Sequence, residues 1–476
     1  MSSIRSFVFS GVVLGSLCGC GVHSPGADGT LPLPADWKNA AGFPVASPQR
    51  DLSRWWGRFN DPALNRVIAA AIQDNPDVKT ATARIREARA NRDAQNAALF
   101  PILDSSASAN SRRNRNDVTG TTRSSAYSAG LDASWELDLF GRNRSAVQAA
   151  AASLGAAGEN LNSVYAALAG EIAAAYTNLR ANEARLAVLK KNLTTREETA
   201  ELAGWRLKAG EADSLEATQS QSSLESARAA MPSLEGAISQ GKNDLALLSG
   251  RAPGALDAML GNSRGIPIPP SSLAIGIPAD VLRQRPDVRL AGYQVLAAAA
   301  STRATEATKY PSLRLSGALG LDTASSRRLF DPENLAANLA GNITSPIFDA
   351  GRNQANLEVA KVTKDIAIAQ YEKSIQTAFR EVSDSLAGRA TLGEQLRAQA
   401  AVSNAAQASF NLADLRYKNG VSSYFDLLDA QRTLFTAQQA TVQVQAQQMQ
   451  NLVTLYKVLG GGWTAPAPMP ASARSN

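Results

Sequence analysis

Side chains with the chemistry for catalysis are scarce in this chain and lie near its start. Among 476 residues there is one histidine, His23, and there are two cysteines, Cys18 and Cys20. His23 lies in a stretch rich in Gly, Ser and Pro, which excludes a Ser-His-Asp triad, a histidine general base in a folded core and most zinc sites. Two cysteines so close together cannot form a disulfide framework in the body of the chain. The scarcity predicts a protein that is not an enzyme and holds neither a metal nor a diffusible cofactor.

The thiol of Cys20 instead has a sequence context for covalent modification. An apolar stretch at residues 7–17 follows a basic residue and is too short to span a bilayer as a helix, which indicates a secretory signal over residues 1–19. Residues 17–20 read Leu-Cys-Gly-Cys, which resembles a bacterial lipobox, whose last cysteine is acylated after cleavage before it. This predicts a covalent lipid on Cys20, and Gly21 in place of Asp favours the outer membrane. The alternative is an ordinary signal peptide with incidental cysteines.

Charge and composition give no support to nucleic-acid binding. The 48 Lys and Arg residues exceed the 42 Asp and Glu residues by a formal charge of +6, and no Lys/Arg-rich block concentrates the excess. Alanine is abundant and aromatic residues make up only 6% of the chain. Such a composition favours long, closely packed helices.

The elements of the chain are arranged as a tandem duplication. Short motifs recur at a constant offset of 210 positions, which indicates two halves of equal length without insertions. The recurring residues are Pro76-Asp77-Val78 with Pro286-Asp287-Val288, Pro101 with Pro311, Gly141-Arg142-Asn143 with Gly351-Arg352-Asn353, Glu171 with Glu381, Arg206 with Arg416, Lys208 with Lys418, Gly210 with Gly420 and Gln221 with Gln431. Each half is predicted to contain a helix, two strands, a long helix, a tip and a returning helix.

The duplication predicts how the whole chain is divided. A lipidated tether at residues 20–60 precedes a first repeat at 61–249. An irregular equatorial linker at 250–277 separates it from a second repeat at 278–462, and a flexible tail occupies 463–476. At the end of the tether, a pair of tryptophans, Trp55 and Trp56, is predicted to pack against neighbouring helices. Asp61 and Pro62 predict a helix start, because Asp is a good N-cap and Pro fits the first helical position.

Proline-free stretches predict the helices of each half. First helices are expected over 62–99 and 278–309. Long helices are expected over 141–207 and 351–417, each a rod of about 100 Å. In the first long helix, residues recur at steps of four and three, as in a coiled-coil seam, although an isolated coiled-coil rod would show the same seam. The seam comprises Leu161, Tyr165, Leu168, Ile172, Ala175, Leu179, Asn182, Leu186, Leu189 and Leu193. Pro232 predicts a kink or break in the returning helix of the first half.

Between the helices, apolar and polar residues alternate as in β-strands. The alternation is clear over residues 127–139, 313–321 and 335–347 and weaker over 102–110. Arginines are expected in the hairpin loops: Arg112, Arg113, Arg123, Arg327 and Arg328. A half-buried strand in a sandwich would alternate in the same way. No further β-segment exists to cover the apolar face of 127–139, however, and the opposite face carries carboxylates, which favours a barrel wall between lipid and a wet lumen.

Four strands are too few to close a barrel, because single-chain barrels begin at about eight strands. Open edges within hydrocarbon would leave backbone N–H and C=O groups unpaired. The chain is therefore predicted to oligomerise, and three copies would form a barrel of about twelve strands around a channel.

Each long helix ends in a tip where a glycine, Gly210 or Gly420, lets the chain reverse. Taken with the duplication and the lipobox, the second tip carries a resemblance to a known family. The chain resembles the outer-membrane factor family of tripartite efflux pumps, of the TolC, OprM and NodT type, over essentially the whole mature chain. The stretches that carry the resemblance are Trp55-Trp56 through Leu64, Pro101, Pro311, Gly351-Arg352, Leu415 through Arg432 and Leu459-Gly460-Gly461-Gly462-Trp463.

The resemblance implies a homotrimer in the outer membrane, with a membrane β-barrel of about twelve strands and a long α-helical barrel that forms a periplasmic tunnel. It implies a periplasmic adaptor of the membrane fusion type, an inner-membrane transporter and outer-membrane lipid as partners. The implied function is a passive exit duct for drugs and small toxic compounds in an RND-type efflux system. The alternatives are the outer-membrane duct of a type I protein secretion system and a periplasmic scaffold without a pore.

The resemblance also implies a gate at the periplasmic end of the tunnel. Phe425 would form an apolar ring and Asp429 an acidic ring, with Tyr417, Lys418 and Arg432 as bonding partners that hold the tip shut. For Asp429 the alternative is a solvated charge paired with Arg432 at i+3. Phe425 and Lys418 replace a leucine and an arginine of close relatives, and Lys cannot form the two parallel hydrogen bonds of Arg, which predicts a weaker gate.

The tips themselves are the expected contacts with the adaptor. In each half a lysine precedes the turn and a glycine closes it. The residues assigned to adaptor contact are Lys208, Gly210, Glu211, Lys418 and Gly420.

Threefold symmetry would bring three copies of Asp429 together and concentrate negative charge at a narrow mouth.

Overall fold

The structure is a computed structural model that describes residues 52–116, 120–261, 265–268 and 278–463. The predicted signal peptide, Cys20, most of the tether and nearly all of the tail lie outside the described residues. The predicted limits of the domains and the lipid on Cys20 therefore stay predictions.

The second half of the chain repeats the order of elements in the first. The first half contains a 3-10 helix at Trp55–Phe59, α1 at Pro62–Asp74, α2 at Pro76–Ala97, β1 at Ile102–Asn116, β2 at Gly120–Leu137, α3 at Arg142–Lys208 and α4 at Ser214–Leu248. A short helix, α5 at Asp257–Leu260, follows. The second half contains α6 at Pro278–Gln284, α7 at Pro286–Ala307, β3 at Ser312–Thr323, two 3-10 turns at Ser326–Arg328 and Pro332–Asn334, β4 at Leu335–Thr344, α8 at Arg352–Lys418 and α9 at Tyr424–Val458.

The predicted first helix of each half is in fact two helices, so the prediction of one continuous helix was wrong. The interruptions fall at Asn75 and Arg285, each directly before a proline that begins the next helix. The proline ring disfavours the helical conformation of the residue before it. Asn75 also caps the new helix, because its side-chain oxygen accepts a hydrogen bond from the backbone N–H of Asp77 at 2.7 Å.

The two long helices agree with the prediction to within a residue at each end. α3 and α8 both contain 67 residues, and α4 and α9 both contain 35. Every position of the predicted seam in α3 is buried or half-buried. Near the tips the helices lie side by side in the order α4, α3, α9, α8, and near the strands in the order α2, α3, α7, α8. The long helices therefore belong to a single layer of adjacent helices rather than forming an isolated pair.

The expected break at Pro232 does not occur, because α4 is continuous from Ser214 to Leu248. Pro232 is exposed, and the helix is held by buried residues further away, among them Leu224 two turns before it and Leu245 more than three turns after it. Packing at these two places preserves the helix across the hydrogen bond that proline cannot make.

The two ends of the described chain meet in the core at the middle of the long helices. Trp55 is fully buried and stacks on Tyr456 of α9, with ring centroids 5.1 Å apart. The backbone N–H of Gly462 donates to the carbonyl of Leu52 at 3.0 Å. The predicted packing of Trp55 and Trp56 against neighbouring helices is confirmed, since Trp56 is buried too.

The four strands form one antiparallel sheet in the order β1-β2-β3-β4. β1 and β2 run further toward their shared turn than the alternation predicted, and they include Arg112, Arg113 and Arg123. The prediction that these three arginines lie in a loop was wrong, because both faces of the strands are polar there and alternation gives no signal. The remaining two predicted loop arginines do lie in the connection between β3 and β4.

One face of the sheet is apolar and exposed in the single chain. The register places Leu103, Ala133, Gly317 and Leu339 in one row across the four strands, and 84% of the surface of Leu339 is exposed. The other exposed members of this apolar face are Leu131, Leu319, Leu335 and Ile343.

The opposite face of the sheet is polar and hydrogen-bonded along the same strands. Ser106 donates to the Asp132 carboxylate at 2.7 Å, and the hydroxyls of Ser108 and Ser128 lie 2.9 Å apart. Among the helices of the described ranges, none combines the length and the apolar character needed to cross a bilayer.

Candidate functional site

The two tips have the same backbone. Gly210 and Gly420 adopt left-handed conformations with φ of 74° and 71°. In the first tip the N–H of Glu211 donates to the carbonyl of Arg206 at 2.8 Å, and Val421 makes the equivalent bond at 2.9 Å in the second. A glycine in this conformation closes a helix because it satisfies carbonyls of the last turn without Cβ strain. The predicted reversal at both glycines is confirmed.

All the residues assigned to adaptor contact are exposed at the ends of the helices. They are Lys208, Gly210, Glu211, Lys418 and Gly420. Lys418 forms an ion pair within its own helix, where its ammonium lies 2.8 Å from the carboxylate of Asp414. The surface is available to a partner protein, and the contact itself stays a prediction.

Phe425 and Asp429 lie one turn apart on the same exposed side of α9. Phe425 is 57% exposed although it is a large apolar residue, and Asp429 is exposed as well. Leu427 on the opposite side of α9 and Leu428 beside the exposed side are buried against the rest of the tip. No ion pair joins Asp429 to Arg432 in the part of the chain that the structure describes. An apolar and an acidic side chain thus face the same space.

Tyr417 is the predicted gate residue that the structure connects most clearly to another element. Its side chain is 1% exposed, and its hydroxyl donates to the Glu216 carboxylate of α4 at 2.6 Å. Arg206 of α3 lies 3.3 Å from the same carboxylate, and its guanidinium stands 5.0 Å from the centre of the Tyr417 ring. We name these three residues the tip latch, because they join the second helical hairpin to the first.

The tip latch keeps the Tyr417 hydroxyl protonated. Burial, together with the hydrogen bond to Glu216 and its negative charge, raises the pKa of Tyr417 to about 12, although the nearby Arg206 acts in the opposite direction. Since an ordinary tyrosine has a pKa of about 10, the hydroxyl is a donor throughout the neutral range. The latch is therefore closed by a charge-assisted hydrogen bond, a class worth roughly 1.5–3 kcal/mol.

Arg432 lies on the exposed side of α9, and its charge acts on the half-buried Arg196 of α3. Burial lowers the pKa of Arg196, and the positive charge of Arg432 lowers it in addition. Arg196 is held by the backbone carbonyl of Ser223 at 2.9 Å. Neither Lys418 nor Arg432 bonds to Tyr417 in the described chain, so their part in holding the tip shut stays a prediction.

Sequence reasoning missed Glu216 and Arg206, the partners of Tyr417. Glu216 lies 201 positions before Tyr417, and neither helix periodicity nor the turn motif indicates which residue across the interface completes a pair. Within the described residues, no group of three or more His, Cys, Asp or Glu side chains is placed to hold a metal ion.

A layer of long helices, two matched tips and a sheet with an exposed apolar face together define the class of outer-membrane channels. The family described as "Outer membrane efflux protein" matches residues 67–251 and 277–461, two segments of the chain offset by the same 210 positions. The chain belongs to this family of outer-membrane efflux proteins. It is accordingly the outer-membrane component of an efflux system, and the resemblance predicted from the tips and the repeat is confirmed.

Individual relatives agree over nearly the full length. The chain is 37% identical over 459 residues to the solvent efflux pump outer membrane protein SrpC of Pseudomonas putida, covering 94% of this chain and 96% of the relative. It is 31% identical to the cation efflux system protein CusC of Escherichia coli O157:H7, with coverage of 94% and 97%.

Solved structures show the same fold. The outer-membrane channel OprN superposes with a TM-score of 0.86 at 30% identity, covering 93% of this chain and all of that chain. The open state of the Neisseria gonorrhoeae MtrE outer membrane channel superposes with a TM-score of 0.82 at 33% identity, with coverage of 91% and 96%.

Proposed function

We propose that three copies of this chain close a barrel of about twelve strands and form a passive duct through the outer membrane. The observation that carries the proposal is the sheet of four strands with an exposed apolar face. Its edge strands, β1 and β4, have no further partner in the described chain, and unpaired strand edges are not tolerated in hydrocarbon. Copies of the same sheet pair those edges and place the apolar face against lipid, with the Asp104 and Asp132 face toward water.

The strands have the length that such a wall requires. β3 has 12 residues and β4 has 10, and a tilted transmembrane strand needs about 9–11. At the base of the sheet, Phe140 and Tyr310 stack with ring centroids 4.9 Å apart, and both are at least half exposed. Phe348 is 89% exposed at the same level. Exposed aromatic side chains here fit the girdle that marks a membrane interface.

The helical layer continues this duct as a tunnel into the periplasm. Three such layers would enclose a lumen, with the tips at the far end as the docking surface for a periplasmic adaptor and an inner-membrane transporter of the RND type. The duct is passive, because the inner-membrane transporter supplies the energy for export. It carries out no catalytic reaction in this proposal. Relatives are named for solvents, toluene, antibiotics and cations, which supports small toxic compounds as cargo rather than polypeptides.

The gate lies at the tips in this proposal. Three copies of Phe425 narrow the mouth and three copies of Asp429 make it acidic, while the tip latch at Tyr417 holds each second hairpin against the first hairpin. Lys418 and Arg432 contribute at the boundaries between copies. Opening separates the hairpins at the latch.

Recording from planar bilayers tests the proposed duct. The purified protein is expected to run as a trimer in detergent and to give discrete conductance steps in a planar bilayer. A monomer that stays soluble without detergent, or a trimer that gives no conductance, would contradict it. Cells lacking the gene are tested for survival under solvent challenge and for secretion of polypeptides. A loss of survival supports efflux, whereas a loss of secretion supports type I secretion.

We also propose that Cys20 carries the lipid that anchors the mature N-terminus. Two cysteines lie in the lipobox, and the proposal assigns the lipid to the second of them. Mass spectrometry of the mature N-terminus should therefore find the acyl groups on Cys20 and residues 1–19 removed. Cys20→Ser should abolish acylation. An unmodified N-terminus in the wild-type protein would contradict the assignment.

A further inference from the structure

Two arginines stand directly opposite each other near the far end of the β1–β2 hairpin. The register pairs Arg113 with Arg123, and both residues are exposed. Side chains paired in this way have Cβ atoms about 5 Å apart, and like charges so placed destabilise a sheet. Neither guanidinium has an acidic partner within the described residues. In the β3–β4 connection, by contrast, Arg328 lies 3.5 Å from Asp331 and 3.6 Å from Glu333.

The pair lies on the same face as the apolar residues. Successive residues of a strand point to opposite faces, so Arg113 shares its face with Leu103, and Arg123 shares its face with Leu131. Arg112, the adjacent residue, points instead to the face that carries Asp104. The two guanidinium groups are therefore on the lipid side of the wall, beyond the end of the apolar residues.

Strand geometry gives the height of the pair above the apolar band. From Leu137 to Tyr127 the strand rises about 34 Å at 3.4 Å per residue, which is about 24 Å of membrane thickness at a tilt of 45°. This equals the apolar band of about 25 Å in such barrels, with Tyr127 at its upper girdle. Arg123 lies four residues further, or about 10 Å above the girdle at the same rise and tilt, where lipid headgroups lie.

We propose that Arg113 and Arg123 together bind a phosphate group of a phosphorylated glycolipid in the outer leaflet. A guanidinium binds phosphate through two parallel hydrogen bonds, and one shared anion removes the repulsion between the two cations. Arg115, two residues beyond Arg113 on the same face, adds a further positive charge. The inference rests on the proposed function, because only an inserted barrel brings this face to the headgroups.

The site has the features of a headgroup contact rather than of a pocket for free phosphate. Both arginines are exposed on an open strand surface next to the apolar band, so nothing encloses a small anion. A lipid gains affinity from its acyl chains against the leucines of the same face. The ligand is therefore held by its chains and positioned by its phosphate.

Lipid binding by the trimer tests the site. The wild-type protein, Arg113→Gln/Arg123→Gln and the matched control Arg112→Gln are compared in vesicles of phosphatidylcholine with and without bis-phosphorylated lipid A. Native mass spectrometry of the extracted trimers counts the retained lipid A. The double variant should retain it with about tenfold lower affinity, since losing charged hydrogen bonds of roughly 1.5 kcal/mol corresponds to that factor, and Arg112→Gln should be unchanged.

Other outcomes would overturn the assignment. Equal retention by the double variant and the wild type would do so, and so would an equal loss in Arg112→Gln. Competition by inorganic phosphate alone at the same concentration as lipid A would show a site for free anions. Conductance recorded on the same preparations separates the two proposals: a conducting wild type with unaltered lipid binding in the double variant defeats only the arginine site, whereas a wild type that forms no channel defeats the duct as well.

Discussion

The two tips of this protein share a backbone and differ in what their side chains do. Both end a helix of 67 residues at a left-handed glycine and begin a returning helix of 35 residues. The duplication has therefore kept the turn, which depends on backbone conformation. The differences lie in the side chains on either side of the turn and in the contacts that these side chains make.

The third residue of each returning helix shows the difference most clearly. In the second tip, Asp426 closes a reciprocal capping box with Ser423 of its own helix. Its equivalent in the first tip is Glu216, which bonds instead to Tyr417 and Arg206 of other helices. One acidic position thus serves local helix capping in one copy and a long-range connection in the other.

Other equivalent positions continue the contrast. Leu207 of the first tip is 39% exposed, whereas its equivalent Tyr417 is buried. Leu215 and its equivalent Phe425 are both exposed apolar residues. The acidic residue of the proposed gate, Asp429, has an uncharged equivalent in the first tip. In the proposed duct, the second tip would close the tunnel, and Glu216 and Arg206 of the first hairpin would hold it in place.

Removing the tip latch should have the largest effect. Tyr417→Phe deletes the hydroxyl, and Glu216→Gln deletes the charge that it meets. Losing a charge-assisted hydrogen bond of roughly 1.5–3 kcal/mol should raise the open probability about ten- to hundredfold. Single-channel recording in planar bilayers measures it. An unchanged open probability in both variants would show that the latch does not hold the gate.

The pH dependence of the latch has a defined sign. Because the pKa of Tyr417 is raised to about 12, its contribution is fully present below the ordinary tyrosine pKa of about 10 and is lost as the pH rises through about 12. Ionisation of Tyr417 should therefore cause no change in open probability between pH 7 and pH 10. A tyrosine-dependent rise in opening within that range, absent from Tyr417→Phe, would contradict the assignment.

Substituting the turn glycines should affect both tips alike. Gly210→Ala and Gly420→Ala place a Cβ in a left-handed conformation, at a cost of about 1–2 kcal/mol each, and no neighbouring atom lies within 4 Å of either added Cβ. Thermal unfolding of the trimer should show equal losses. Gly204→Ala, within α3 and equally open to a Cβ, is the matched control and should not destabilise. Unequal losses would mean that one tip is supported by contacts that the other lacks.

Removing the acidic residue of the gate should have a smaller effect than removing the latch. Asp429→Ala should raise conductance and drug leak about fivefold, since interactions of such exposed charges are of the order of 1 kcal/mol. Gln219→Ala, at the equivalent position of the first tip, should leave both unchanged. Unaltered conductance and cation selectivity in Asp429→Ala would remove this residue from the gate.

Breaking the capping box should be the mildest change. Asp426→Asn weakens the start of α9 by about 0.5–1 kcal/mol, which thermal unfolding would detect as a small shift. Open probability should stay as in the wild type, because the Asp426 carboxylate bonds to Ser423 of its own helix cap rather than to another helix. A large change in gating would show that both equivalent acidic positions control opening.

Much of this fold was predictable because its signals are local. Turn glycines, the N-cap at Asp61 and the seam of α3 follow from conformational preference and periodicity over a few residues. The split before Pro76 was also readable, since the residue before a proline avoids the helical conformation and residues 73–75 and 77 are polar. The extension of β1 to Arg113 was not readable, because a strand with two polar faces shows no alternation.

Only part of the candidate site could be predicted from the sequence, because some of its residues share one short motif and others come from helices distant in sequence. Tyr417, Phe425 and Asp429 lie in one short motif, so a resemblance carries them together. Glu216 and Arg206 join the site through contacts between helices that are distant in sequence, and a rotation of one helix by a single residue would substitute other partners. Only the three-dimensional packing determines which side chains meet.

The equal length of the two long helices restricts how the gene can change. Deleting one heptad from α3 alone would retract its tip by about 10 Å and separate Glu216 from Tyr417. A shorter tunnel therefore requires matched deletions in the long and the returning helices of both halves, at equivalent positions 210 codons apart. Evolution must alter the reach of this protein across the periplasm in paired steps, and a single-copy deletion is expected to be lost before its partner arises.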